Sequence, residues 1–183
     1  VTDALRELAA IEQEFGAALG NNKLRQLARL LKKAYFTSQA QSGNLSINDI
    51  PVVPGITVAL NRDIQAQLMQ LTASAGHQGL QMSFAQVLGS VDLAGSSVSA
   101  IAALNGVTPS AISRSAKELE QLGYIKRQID PRDRRSRKLL FTPRGLALIC
   151  DAMEATATVE AQISQALPDG GFDALNDLLE QLC

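Results

Sequence analysis

A chain of 183 residues has room for one full hydrophobic core, and 46% hydrophobic with 19% charged residues excludes a disordered or fibrous polymer. Many Ala, Leu and Gln, no Trp and only 4% aromatics favour helices over sheets. The net charge of −1 hides an asymmetry, because Arg114 to Arg144 holds ten basic and four acidic side chains while Gly145 to Cys183 holds seven acidic ones and no Lys or Arg.

In chain order, residues 3–19 place Leu5, Leu8, Ile11, Phe15 and Leu19 at steps of three and four, which predicts an amphipathic helix stopped by Gly20-Asn21-Asn22. A second helix follows with Leu24, Leu27, Leu31 and Tyr35 on one face and Lys23, Arg25, Arg29, Lys32 and Lys33 around it. That basic face suits nucleic acid, the acidic C-terminal helices or water. Residues 36–55 have no sustained period and read as a linker or long loop. Leu60, Ile64, Leu68 and Leu71 mark a helix ending near Gly76, and 82–92 predicts a shorter one with Ser83 as its N-cap. His77, the only histidine, falls in the turn between them and reads as a loop or packing residue, not a metal ligand.

Residues 96–124 contain two helical patterns joined by Asn105-Gly106-Val107. A helix-turn-helix needs a small residue where its helices cross, a residue tolerant of left-handed backbone in the turn, and a branched apolar lock in the second helix. Ala102, Gly106 and Ile112 meet those needs in order, and Thr108-Pro109 supplies an N-cap and a proline for the first helical position. Ile112, Leu119 and Leu122 are expected inside, with Ser110, Ser113, Arg114 and Lys117 outside. "YIKRQID" (124–130) and "RKLLFT" (137–142) then predict two strands flanking the run "DPRDRRSRK" (130–138). A β-hairpin directly after a helix-turn-helix is a winged helix, with the charge run at the wing tip. Thr142-Pro143 opens a long helix over roughly 143–166 with Leu146, Ile149, Met153 and Val159, and a last helix follows Leu167-Pro168-Asp169-Gly170-Gly171.

With "AIAALNGVTPSAISRSAKELEQLGYI", the wing "DPRDRRSRKLLFTPRG" and the closing "LPDGGFDALNDLLEQL", the sequence resembles the MarR family of bacterial transcription regulators over roughly residues 56–183. The expected fold is therefore mainly α (α+β), a winged helix-turn-helix DNA-binding lobe at about 82–142 with a helical dimerisation region at about 56–76 and 143–183. Residues 1–55 form a helical extension and linker outside the resemblance. Its expected role is a wider dimer interface; blocking a ligand cavity or recruiting a partner are the other readings.

The resemblance implies a homodimeric repressor on a pseudo-palindromic double-stranded operator. Ser110, Ala111, Ser113, Arg114 and Lys117 are its candidate major-groove residues. In the wing the candidates are Arg132, Asp133, Arg134, Arg135, Arg137 and Lys138, with Arg135 at the tip and Asp133 orienting its guanidinium. Lys126 and Arg127 are candidate phosphate contacts. The resemblance also implies a small aromatic or anionic effector, without any required cofactor. The alternative is a winged helix used for protein–protein contact.

One unpaired histidine, no phosphate-binding glycine loop and no Gly-x-Ser-x-Gly elbow argue against an enzyme or a metal site. No apolar run reaches membrane-spanning length and no leader pattern opens the chain, so the expected compartment is the cytoplasm, with no membrane partner. Cys150 is expected to be a buried structural thiol and Cys183 a terminal, exposed one; two cysteines are too few for a disulfide scaffold.

Overall fold

The structure, a computed structural model, describes residues 2–39, 52–129 and 137–182. Eight α-helices and three short strands are described: α1 (Thr2–Leu19), α2 (Asn21–Gln39), α3 (Val52–Ser74), α4 (Ala85–Leu88, entered through a 3-10 turn at Met82–Phe84), β1 (Ser96–Ser97), α5 (Val98–Leu104), α6 (Pro109–Gln121), β2 (Ile125–Ile129), β3 (Arg137–Phe141), α7 (Pro143–Ala166) and α8 (Gly171–Glu180). The chain is mainly helical with one small sheet, a winged-helix fold. It divides into two compact units, Val1–Leu68 with Thr156–Cys183, and Met69–Ala155. The boundaries fall inside α3 and α7.

The first unit is all helix. Leu27, Leu30, Leu31, Ala34 and Tyr35 of α2 are buried with Val53, Ile56 and Leu60 of α3, and with Leu167, Leu175 and Leu178 at the C-terminal end. The residues expected to form an appendage thus supply much of this unit's core. Helix α2 packs on α8, and Lys23 Nζ donates to Gln181 Oε1 at 2.7 Å. Two boundaries differ from the sequence reading. Helix α2 continues to Gln39, and α3 begins at Val52, eight residues before Leu60. Pro54 and Gly55 lie in the first turn of α3, where a proline's missing N–H costs no helical hydrogen bond.

In the second unit Phe84, Val87, Ile101, Ala102, Ile112, Ala116, Leu119, Tyr124, Ile125, Leu139 and Leu148 form a single core. The sheet order is β1-β3-β2, antiparallel throughout, with Ile125 opposite Phe141, Ile129 opposite Arg137 and Ser96 opposite Leu139. The two-residue β1 has no sequence signature of its own; only its partner β3 defines it. Ser83 sits inside the 3-10 turn, whose N-cap is Gln81 without a side-chain cap, so the predicted cap at Ser83 is incorrect.

Helix α7 also corrects the apolar face read from sequence. Gly145, Leu148, Ala155 and Val159 are its buried positions, while Leu146 and Met153 are exposed. Gly145 selects that face, because a methyl group there would overlap the backbone carbonyl of Tyr124. Cys150, two residues beyond Leu148 and therefore turned about 200° around the helix, is exposed and not a buried thiol.

Candidate nucleic-acid interface

Helix α5 is capped by Ser97, whose Oγ accepts from the Ala100 N–H, and closes at its C-cap Asn105. Gly106 takes φ +63°, the left-handed backbone that the turn requires. Thr108 Oγ1 then accepts from the Ala111 N–H at 3.3 Å and Pro109 occupies the first turn of α6. Ala102 and Ile112, at 2% and 1% exposure, form the crossing predicted from their spacing.

Burial of Ile112, Ala116 and Leu119 fixes the rotation of α6. Ser110, Ala111, Arg114 and Lys117 are consequently exposed, and Ser113 is half-buried. That exposed strip joins two hydroxyl-sized or small positions to two cations, a surface able to approach base edges closely and to donate hydrogen bonds. On the wing strands Lys126 and Arg137 are exposed and Lys138 is half-buried. Arg132, Asp133, Arg134 and Arg135 lie outside the described residues, as do Asp130 and the rest of the expected tip.

Arg127, expected to meet phosphate, has protein neighbours in this structure. Side chains alternate along β2, and Arg127 shares the Ile125 side against α6. Its Nε lies 3.3 Å from Glu120 Oε2, its guanidinium donates to the Ser113 carbonyl at 3.4 Å, and its backbone N–H donates to Glu120 Oε1 at 3.3 Å. Arg127 ties the base of the wing to α6.

Three further arrangements hold this lobe, and of them only the capping of α7 by Thr142 was legible beforehand. Asn105 Nδ2 donates to Ser90 Oγ at 2.8 Å and to the Ile101 carbonyl at 2.9 Å, fixing the end of α5 to the segment after α4. Thr142 Oγ1 donates toward the Gly123 carbonyl at 2.6 Å and accepts from the Gly145 N–H at 3.0 Å, so one hydroxyl both caps α7 and holds the turn that leads into β2. Third, His77 is buried, with Nε2 2.7 Å from Asp151 Oδ2 and Nδ1 3.3 Å from the Tyr124 hydroxyl. Arg144 donates to that hydroxyl at 3.4 Å and lies 4.8 Å over the Tyr124 ring. Asp151 is 74 residues from His77, so no local spacing announces the pair.

Residues 78–136 match the model of the MarR family. Over these residues the chain is similar to the MarR-family winged helix. Its fold is similar to that of the YusO protein from Bacillus subtilis (25% identity, 69% of this chain and 88% of that chain, TM-score 0.57). It is also similar to the MarR family transcription regulator SP03579 (24% identity, 70% and 83%, TM-score 0.59). A third similar structure is CouR from Rhodococcus jostii RHA1, solved bound to p-coumaroyl-CoA (24% identity, 70% and 90%, TM-score 0.53). No curated protein sequence matches the chain. Among the described residues no three His, Cys, Asp or Glu side chains gather as a metal site, and no helix is long and apolar enough to cross a membrane.

Proposed function

We propose that this MarR-family protein is a sequence-specific double-stranded DNA-binding regulator, acting as a homodimeric repressor whose DNA affinity responds to a small ligand. The observation that carries this reading is the exposed strip of α6. The core residues Ile112, Ala116 and Leu119 leave Ser110, Ala111, Arg114 and Lys117 facing out, on a helix followed at once by a hairpin with Lys126 and Arg137 exposed.

Arg114 is the best candidate for direct base reading, since a guanidinium can donate two hydrogen bonds to one guanine edge. Ser110 and Ala111 let the helix lie deep in the groove. Lys117, Lys126, Arg137 and Lys138 are proposed to contact phosphates and set the register without specifying sequence. Arg132, Arg134 and Arg135 are proposed to follow the neighbouring minor groove, with Asp133 orienting Arg135. A two-fold dimer calls for a pseudo-palindrome with half-site centres about 10 bp apart.

Genome-wide mapping of bound sites, followed by anisotropy titration on the recovered sequence and on random DNA, tests the proposal. A recovered palindrome bound at least tenfold more tightly than random DNA supports it. Equal affinity for both, or binding insensitive to salt, supports the protein-contact alternative instead.

A further inference from the structure

The helical unit contains a cavity of about 300 Å³ to which none of the DNA-facing residues contributes. Leu31, Leu60, Ile64, Val159, Ile163 and Phe172 supply apolar walls from α2, α3, α7 and α8. Leu31, Leu60 and Val159 are buried, whereas Ile64, Ile163 and Phe172 are only partly covered by the core they belong to. Small-molecule sites are concave, mostly apolar and about 300–1,000 Å³ in volume, so this space suits a one- or two-ring molecule.

The polar part of the lining is as selective as the apolar part. Thr57, Asn61, Thr156 and Asn176 are neutral, and among the described residues Glu160 is the single charged one in the lining. Among the described residues no Lys or Arg lines the cavity and no cation forms an ion pair with Glu160. The α7 and α8 segments that flank it carry no basic residue from Gly145 onward. An anionic ligand would lose hydration against the apolar walls and meet the Glu160 carboxylate at the exposed rim, with no cation among the described lining residues to offset either cost.

We infer that this cavity binds a small apolar amine, its ring system against the aliphatic and Phe172 walls and its protonated nitrogen at Glu160. This names the ligand class for the regulator proposed above, with a charge opposite to that of the aromatic anions implied by the family resemblance. It rests on that proposal only for any effect on DNA, because binding is measured without DNA.

The test compares three ligands that share one body: 1-naphthylmethylamine, 1-naphthalenemethanol and 1-naphthoate. Naphthalene fluorescence reports binding directly, since the chain has no Trp. Saturable binding of one amine per chain is expected, about fivefold tighter than naphthoate at moderate salt. Glu160→Gln should bring the three ligands within about twofold of one another, because only the charge interaction is removed. Ile64→Trp should fill the cavity and abolish binding; if that variant loses helicity, Asn176→Trp on the exposed rim serves the same purpose.

Absence of saturable binding, a preference for naphthoate, or an order that survives Glu160→Gln would overturn the inference. So would amine binding that weakens as chain concentration rises through self-association, which would assign the cavity to a second copy. A gel shift on the same samples separates the two proposals. Intact DNA binding without amine binding overturns only the ligand inference, and amine binding without DNA binding overturns only the regulator.

Discussion

His77 Nε2 and Asp151 Oδ2 stand 2.7 Å apart, joining the turn after α3 to the middle of α7 with the histidine side chain 7% exposed and the carboxylate 34%. The Tyr124 hydroxyl continues the chain, at hydrogen-bonding distance from His77 Nδ1 and accepting from Arg144. Tyr124 itself is fully buried immediately before β2, so this chain of hydrogen bonds anchors the root of the wing.

His77→Ala should therefore destabilise the winged-helix lobe by about 1–3 kcal/mol, the cost of removing one partner each from the buried Tyr124 hydroxyl and from Asp151 and of opening a small void. Chemical denaturation of the full chain measures it. A double-mutant cycle with Asp151→Ala should return a coupling of at least about 0.5 kcal/mol. Additive effects would reduce the pair to coincidental proximity.

Gly145→Ala should destabilise by more than about 2 kcal/mol, because the new methyl group collides with the Tyr124 backbone, which cannot rotate away like a side chain. Ala147→Gly on the exposed side of the same helix is the control, and it should cost only about 1 kcal/mol. Comparable losses in the two variants would show that the helix is not pressed against the wing strand.

Thr142→Val keeps the side chain's shape and removes the hydroxyl that joins Gly123 to Gly145. The loss of an N-cap sets the expected cost at about 1 kcal/mol of stability. Faster hydrogen exchange at the Tyr124–Lys126 amides should accompany it, since the same hydroxyl holds the turn that leads into β2. Unchanged exchange there would confine Thr142 to capping.

Much of the second unit was legible because its signals are local. Ala102, Gly106, Ile112, Thr108 and Pro109 each have a role set by neighbours within ten residues, and all occupy the places that their spacing demanded. The exposed face of α6 followed from the same pattern. The failures have another character. Arg127 was read only as a phosphate contact, without its protein neighbours, because Glu120 and the Ser113 carbonyl meet it only once β2 folds back on α6. His77 lacked a partner in sequence because Asp151 is far along the chain. On α7, hydropathy favoured Leu146 and Met153, but the close approach at Gly145 decided which face is buried. Residues 1–39 read as an appendage because the partners of Leu27 and Leu31 lie in α3 and α8.

That last correction has a measurable consequence. Leu27→Ala should cost about 2–5 kcal/mol, as for other fully buried leucines, and should weaken the helical unit itself. Differential scanning calorimetry would show a lowered transition. An unchanged transition would restore the picture of an N-terminal extension that adds nothing to the unit's core.

At the wing, Arg135→Ala should weaken binding to the mapped operator by about 1–3 kcal/mol without altering the melting temperature. Asp133→Ala should weaken binding too, although it removes a negative charge. Tighter binding on removal of Asp133 would mean that it merely dilutes the positive charge of the tip.

The most direct measurement is the ratio of operator to random-DNA affinity for the wild-type chain and Arg114→Ala, titrated by anisotropy across a salt series. If α6 reads bases, Arg114→Ala should cut that ratio about tenfold or more, while its affinity for random DNA falls only slightly. Lys126→Ala should weaken both DNAs equally and lower the salt slope by about one. A ratio that Arg114→Ala leaves unchanged would contradict the assignment of α6 as the sequence-reading helix.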